Sequence, residues 1–172
     1  VCAEAGLHPF TRHESPPIRT LTMDLENKRR AMTDSFRLAL RSIQARDGMA
    51  DWQPKGPVWE APGGMNLLDG RDRRRLTEAI RRTRPDLVFF GPVYKSFRPT
   101  AGMKDDSAAL EVTGFFDELR ARFNFGMWIE AHAPFGDGSQ RDLRPIGTVA
   151  WQRWPEYGKN FRRDDRSGAL SV

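Results

Sequence analysis

Two carboxylates, Asp24 and Glu26, lie at the end of an apolar, partly β-branched run that predicts a buried strand over 18–25. Because they are two positions apart, their side chains point to the same side if the strand continues through them. A carboxylate there can orient an attacking water or hold a metal ion, as phosphoryl transfer requires. The alternative for Glu26 is helix capping, since negative charge stabilises a helix N-terminus.

Polar residues also follow two later apolar runs. The runs at 86–90 and 126–131 predict strands, and the first is continuous enough for a parallel sheet that is covered on both faces. Segment 91–95 follows the first run, and segment 130–136 begins at the end of the second. Ligands of parallel sheets bind outside the carboxyl ends of the strands, so these segments and 24–27 predict one shared site.

His132 is the histidine that this rule places at the predicted site. A polar donor there can contact a terminal phosphate, although a single histidine more often has a structural role. Three aromatic residues farther along, Trp151, Trp154 and Tyr157, are interpreted as core or interface residues, with stacking on nucleic-acid bases as the less favoured alternative.

Helical patterns separate the predicted strands. Helices are expected over 28–46, 69–84, 104–123 and 148–153, further strands over 57–61 and 156–163 (the latter as an edge strand or hairpin), and a polar tail over 164–172. The third helix is expected to bury Leu110 and Leu119. Alternating strands and helices predict an α/β fold with a mostly parallel sheet.

Composition limits the classes of protein to consider. The chain has 172 residues, of which 38% are hydrophobic and 30% charged, which is typical of a soluble globular domain. No apolar run approaches the roughly 20 residues of a membrane helix. A single cysteine excludes a disulfide within the chain and agrees with a reducing, cytoplasmic location.

The formal net charge is +5, and arginine provides most of the positive charge. Clusters at 71–75 and 81–84 are compatible with contacts to nucleic-acid phosphates, which makes DNA a possible partner. Acidic residues, Asp72 and Glu78 among them, interleave with both clusters. A solvated helix face is therefore the equal alternative.

The sequence contains no GxxxxGK[ST] motif. The pair Gly63-Gly64 is followed by Met65 and Asn66, without a lysine or hydroxyl at the required spacing. Backbone amides and a lysine of that motif hold the β and γ phosphates of a nucleotide. The chain alone is therefore expected to bind ATP weakly or not at all.

Four segments, taken together and in order, resemble the RecA-like ATPases of the RepA and DnaB helicase class. They are LTMDLEN (21–27), RPDLVFFGPVYKSF (84–97), WIEAHAPFGDG (128–138) and LRPIGTVAWQRWPEYG (143–158). The resemblance implies a RecA-like three-layer fold with ATP and Mg²⁺ as cofactors. It also implies that 1–163 is a core truncated at its N-terminal side, since 1–17 resembles the end of the phosphate-loop helix and the connection beyond it.

The resemblance also implies roles for individual residues. Glu26 matches the water-activating base, and His132 matches the phosphate-sensing residue. Gly91 stands where the family has its magnesium-binding aspartate, a departure for which Asp24 could partly compensate. Gly91, Lys95 and Asp24 are thus the expected cofactor-binding residues, with Asp24 as the metal ligand.

Arg144 and Arg153 resemble arginines that reach the nucleotide of a neighbouring subunit, so a homo-oligomer is expected.

Three interpretations of the function follow from the sequence. The first is part of an ATP-hydrolysing motor that acts on DNA. The second is a non-catalytic assembly or nucleic-acid-binding module of the same fold. The third, a metal-dependent hydrolase using Asp24, Glu26 and His132, lacks a recognised ligand spacing.

Overall fold

The computed structural model describes residues 1–8, 13–132 and 148–158, together with the backbone of 162–163 and 170–171. Its elements are β1 (Thr20–Asp24), α1 (Arg29–Gln44), β2 (Val58–Glu60), α2 (Gly70–Thr83), β3 (Leu87–Gly91), α3 (Asp105–Phe123), β4 (Gly126–Ile129), α4 (Ala150–Arg153), β5 (Arg162–Arg163) and β6 (Leu170–Ser171). Short 3-10 helices cover Ala3–Ala5 and Val93–Lys95. The alternation of strands and helices expected from the sequence is confirmed from β1 to β4.

Strands β1 to β4 form one sheet in the order β2-β1-β3-β4, and every neighbouring pair is parallel. The predicted α/β fold with a parallel sheet is thereby confirmed. The chain passes from β1 outward to β2 and then returns past β1 to β3. The direction of winding therefore reverses between β1 and β3, which makes the crevice beyond their carboxyl ends a topological switch point.

One face of the sheet carries the core. Leu21 and Met23 of β1 lie in register with Val88 and Phe90 of β3, and all four are buried. Helices α2 and α3 cover this face with Leu76, Ala79, Ile80, Val112, Phe116 and Leu119. The rings of Phe90 and Phe116 meet edge to face, with their centroids 5.1 Å apart. Burial of a side chain of this size contributes about 1.5 to 3 kcal/mol, so this face holds α2 and α3 to the sheet.

Helix α1 lies against the opposite face of the sheet. Its half-buried apolar side chains Met32, Phe36 and Leu40 line a groove together with Val58 of β2. Val58 is in register with Thr22, whose side chain points away from the core face. The sheet thus lies between α1 on one side and α2 with α3 on the other, which agrees with the three-layer arrangement expected from the sequence.

Local sequence signals set the ends of the helices. Asp69 caps α2 by accepting a hydrogen bond from the Arg71 backbone at 2.6 Å, and Pro85 prevents its continuation. Asn124 ends α3 in a left-handed conformation, with φ at 52°. No helix within the described ranges is both long enough and apolar enough to cross a membrane.

Two expectations require correction. Leu110 is 66% exposed, because the buried side of α3 follows Ala109, Val112 and Phe116 and Leu110 lies outside that arc. Of the predicted edge strand or hairpin at 156–163, residues 156–158 are not in a strand and residues 162–163 form β5, whose antiparallel partner β6 lies within the expected tail. Residues 159–161 lie outside the described residues.

Candidate active site

Polar residues from three neighbouring strands meet at the carboxyl edge of the sheet. Asp24 ends β1, and Glu26 follows it in the next turn. Lys95 ends the 3-10 helix that follows β3, and His132 comes shortly after β4. The structure therefore brings together residues from the three segments that the strand-end rule predicted to share a site, at the switch point between β1 and β3. Residues 133–136 of the last segment lie outside the described residues.

Asp24 shapes the turn that presents Glu26. Its carboxylate is buried and accepts hydrogen bonds from the backbone of Glu26 at 2.9 Å and of Asn27 at 2.7 Å, and from the Asn27 side chain at 3.0 Å. Burial acts to raise the pKa of Asp24, but the bonds from Asn27 and Glu26, with the charge of Lys95, outweigh it and hold the pKa below its ordinary value. Asp24 is therefore an ionised structural acceptor.

The expected role of Asp24 as a metal ligand competes with these bonds. Both carboxylate oxygens already accept hydrogen bonds from the turn. Among the described residues, no group of three or more histidine, cysteine, aspartate or glutamate residues is arranged to hold a metal ion. Asp24 is thus engaged by its own turn at both oxygens, and its role as a metal ligand stays a prediction.

Glu26 has a different environment on each carboxylate oxygen. Its Oε1 accepts a hydrogen bond from the Tyr94 hydroxyl at 2.7 Å and lies 3.5 Å from the Lys95 ammonium. Its Oε2 lies 3.8 Å from Nε2 of His132. The bond from Tyr94 is the main cause that lowers the pKa of Glu26, and the charges of Lys95 and His132 add to it. Glu26 is thus held ionised, with one oxygen occupied and the other more open.

His132 lies between two carboxylates. Its Nε2 is 3.0 Å from Oε1 of Glu130 and 3.8 Å from Oε2 of Glu26. Its ring centroid is 5.5 Å from that of Tyr94. The side chain is 37% exposed, so it can reach a ligand at the edge of the sheet without any change in the core.

Gly91 makes room for Glu130. It pairs in register with Asp24, its carbonyl accepts the backbone N–H of Leu25 at 2.8 Å, and it precedes a cis peptide bond to Pro92. A Cβ at position 91 would lie 2.5 Å from the Cβ of Glu130. Any larger residue there, an aspartate included, would therefore displace the end of β4 that leads to His132.

The two candidate arginines lie apart from this cluster or outside the description. Arg144 falls outside the described residues. Arg153 is exposed on α4, whose Trp151 stacks near Phe97 and whose following Trp154 stacks near Phe116. Within the described ranges, no hydrogen bond or ion pair joins Arg153 to the residues around Glu26.

Sequence reasoning assigned no role to Tyr94 or to the carboxylate of Glu130. Among the described residues, Tyr94 is the donor closest to Glu26, and Glu130 is the closest partner of His132. Both belong to segments that the strand-end rule includes. The rule identifies the segment, whereas the individual partners depend on how the 3-10 helix after β3 turns its side chains.

No protein-family model matches the sequence, and a search of curated proteins finds no match. The likeness to RecA-like ATPases therefore rests on the four segments of the sequence that carry it.

Proposed function

We propose that this chain is the later part of a RecA-like ATP-hydrolysing core and that Glu26 orients the attacking water. The observation that supports this most is the position of Glu26, an ionised carboxylate at the switch point between β1 and β3. Phosphoryl transfer needs the protein mainly to position the water and to stabilise charge. A carboxylate with a lowered pKa can accept a hydrogen bond from water at neutral pH.

Lys95 and His132 are proposed to contact the phosphate. The side chain of Lys95 is 28% exposed and that of His132 37% exposed, and the ammonium and the imidazole both lie within 4 Å of Glu26. Donors at this position can stabilise the negative charge that develops on the transferred group. ATP and Mg²⁺ are proposed as cofactors of a form that includes a phosphate-binding loop.

The test is ATP binding and hydrolysis, with magnesium, by this chain and by a form extended upstream through any phosphate-binding loop. We expect hydrolysis only in the extended form. Glu26→Gln should lower its kcat by about 100-fold or more, the usual effect of losing a positioned base, while the ATP dissociation constant changes little. The matched control is Glu60→Gln, since Glu60 ends β2 in register with Asp24 and pairs with Arg29.

Either of two results would overturn the proposal. One is an extended form that contains the loop and does not hydrolyse ATP. The other is a Glu26→Gln variant that is as active as the Glu60→Gln control.

We also propose that the complete protein is a cytoplasmic homo-oligomer. The exposure of Arg153 supports this, because an exposed arginine that is not bonded to its own site remains available to the nucleotide of a neighbouring subunit. In the extended form, Arg153→Ala should lower ATP hydrolysis without weakening ATP binding. A single monomeric species in sizing experiments at working concentrations would contradict the oligomer.

A second candidate function is nucleic-acid binding without catalysis, and the exposed face of α2 favours it. This face carries five arginines: Arg71, Arg74, Arg75, Arg81 and Arg82. Glu78 pairs with two of them and Asp72 with a third, whereas Arg71 and Arg74 have no carboxylate partner among the described residues. Such a face fits the regularly spaced phosphates of DNA.

The α2 face is tested by titrating the chain with a single-stranded oligonucleotide at several salt concentrations. Replacing Arg71 and Arg74 by glutamine should weaken binding and reduce the salt dependence by about one counterion per lost contact. The control replaces Arg37 and Arg41 of α1, on the other side of the sheet. Equal losses in both double variants would mean that net charge alone, and not the α2 face, causes binding.

A further inference from the structure

Tyr94 lies where three residues of the candidate site meet. Its hydroxyl donates to Oε1 of Glu26 at 2.7 Å, and its ring centroid is 5.5 Å from that of His132. The Lys95 ammonium is 5.8 Å from the centre of the same ring, within the range of a cation–π contact. Tyr94 therefore contacts Glu26, Lys95 and His132.

The backbone around Tyr94 is anchored on both sides. The Val93 N–H donates to the carbonyl of Glu130 at 2.9 Å, which ties the 3-10 helix to the end of β4. The Lys95 carbonyl accepts from Met65 at 3.0 Å, and the buried hydroxyl of Ser96 closes the turn onto the carbonyl of Val93 at 2.6 Å. Tyr94 is therefore presented by a fixed segment.

Glu26 is also held in a fixed position, because the carboxylate of Asp24 stabilises the turn that carries it. The bond between Tyr94 and Glu26 consequently joins two anchored segments across the switch point. A phenol donates to a carboxylate without neutralising its charge. That bond fixes the orientation of the carboxylate and leaves Glu26 able to accept a further hydrogen bond.

We propose that Tyr94 is a positioning residue that holds Oε1 of Glu26 and so directs Oε2 toward the attacking water. In the described part of the chain, Oε2 has only the 3.8 Å contact with His132, so it is the oxygen with free acceptor capacity. The role rests on the proposed function, because it is defined by the water that Glu26 would orient. The bond itself can be tested without any enzymatic activity.

The chain offers a direct probe of this bond, since it contains two tyrosines. Tyr157 is 91% exposed and provides the reference. The bond to Glu26 raises the pKa of Tyr94 above its ordinary value. In a Tyr157→Phe background, ultraviolet titration should therefore report a single phenol that ionises late, and adding Glu26→Gln should move that transition to lower pH.

Circular dichroism at each pH confirms that the chain remains folded during the titration, and Glu60→Gln is the matched control that should leave the transition in place. If Glu26→Gln does not move the transition of Tyr94, the proposed positioning role is overturned.

Activity provides the second arm and separates this proposal from the proposed function. In the extended, ATP-hydrolysing form, Tyr94→Phe should lower kcat by about tenfold, the effect of one misdirected hydrogen bond, and leave KM for ATP nearly unchanged. Full kcat in Tyr94→Phe, with activity abolished in Glu26→Gln, would overturn the role of Tyr94 and leave the function standing. An inactive extended form would overturn both, even if the titration detects the bond.

Discussion

The two ends of the sheet each carry an aspartate that accepts three hydrogen bonds, and they differ in what those bonds do. Asp24, at the carboxyl end, is buried and accepts from the turn that follows it. Asp86, just before β3 at the amino end, has a side chain 42% exposed and accepts from the backbone and guanidinium of Arg19, which immediately precedes β1. One aspartate shapes a site, whereas the other joins two strands in solvent.

The number of hydrogen bonds that an aspartate accepts does not decide how much they stabilise the fold. Both carboxyl groups have a lowered pKa, and that of Asp86 falls to about 2, chiefly through the Arg19 side chain. Water can replace the partners of Asp86, because the pair is exposed. Asp24 itself is buried, so water has little access to its carboxylate and the loss of these bonds should cost more.

The largest expected effect is that of Asp24→Ala. It leaves the backbone N–H groups of Glu26 and Asn27 without their acceptor, at a cost of about 2 to 3 kcal/mol in the free energy of unfolding. Urea denaturation monitored by circular dichroism measures the change, with Asp86→Ala as the matched variant at the other end. Equal losses in the two variants would show that the hydrogen bonds of buried Asp24 stabilise the fold no more than those of exposed Asp86.

The next effect concerns a glycine at each end of the sheet. Gly91→Ala places a Cβ 2.5 Å from the Cβ of Glu130, so the backbone must shift, and we expect a loss of about 2 kcal/mol. Gly126→Ala at the amino end places its Cβ 3.5 Å from a methyl group of Leu87, an ordinary contact, and should leave stability unchanged or slightly raised. Thermal unfolding measures the stability of both variants. Equal stability in the two would contradict the predicted clash between a Cβ at position 91 and Glu130.

The arrangement of the sheet and of the site residues at its carboxyl end can largely be predicted from the sequence, because both leave local patterns in it. The apolar runs of β1 and β3, with a helical pattern between the strands, predict the parallel sheet, and the strand-end rule then places Glu26, Lys95 and His132 together. Such signals are local and repeated, and they are strong because a buried parallel strand tolerates few polar residues.

Contacts between separate loops leave no comparable signal. The bond from Tyr94 to Glu26 and the packing of Glu130 on Gly91 depend on the path of the chain after each strand. Leu110 was placed wrongly because α3 carries apolar residues around much of its circumference, so its sequence does not define a single buried side.

A smaller effect is expected for Asp86→Asn. The amide can still accept from the Arg19 backbone, but the charged bonds to the guanidinium are lost. Since the side chain of Asp86 is 42% exposed and screened by solvent, we expect a loss of about 0.5 to 1 kcal/mol. Urea denaturation at neutral pH measures it, and a loss as large as that of Asp24→Ala would show that exposure does not weaken this pair.

The smallest effect is the pH dependence of the difference in unfolding free energy between wild type and Asp86→Asn. The pKa of Asp86 lies at about 2 in the folded chain and at its ordinary value of 3.8 when unfolded. The contribution of the pair is therefore complete above about pH 4 and is lost as the pH falls toward 2. Glu78 also has a pKa of about 2, but it is present in both proteins, so the difference between wild type and Asp86→Asn isolates Asp86. Denaturation at pH 6 and near pH 2 should show this difference closing in acid; a difference that persists unchanged would assign the loss to packing instead of charge.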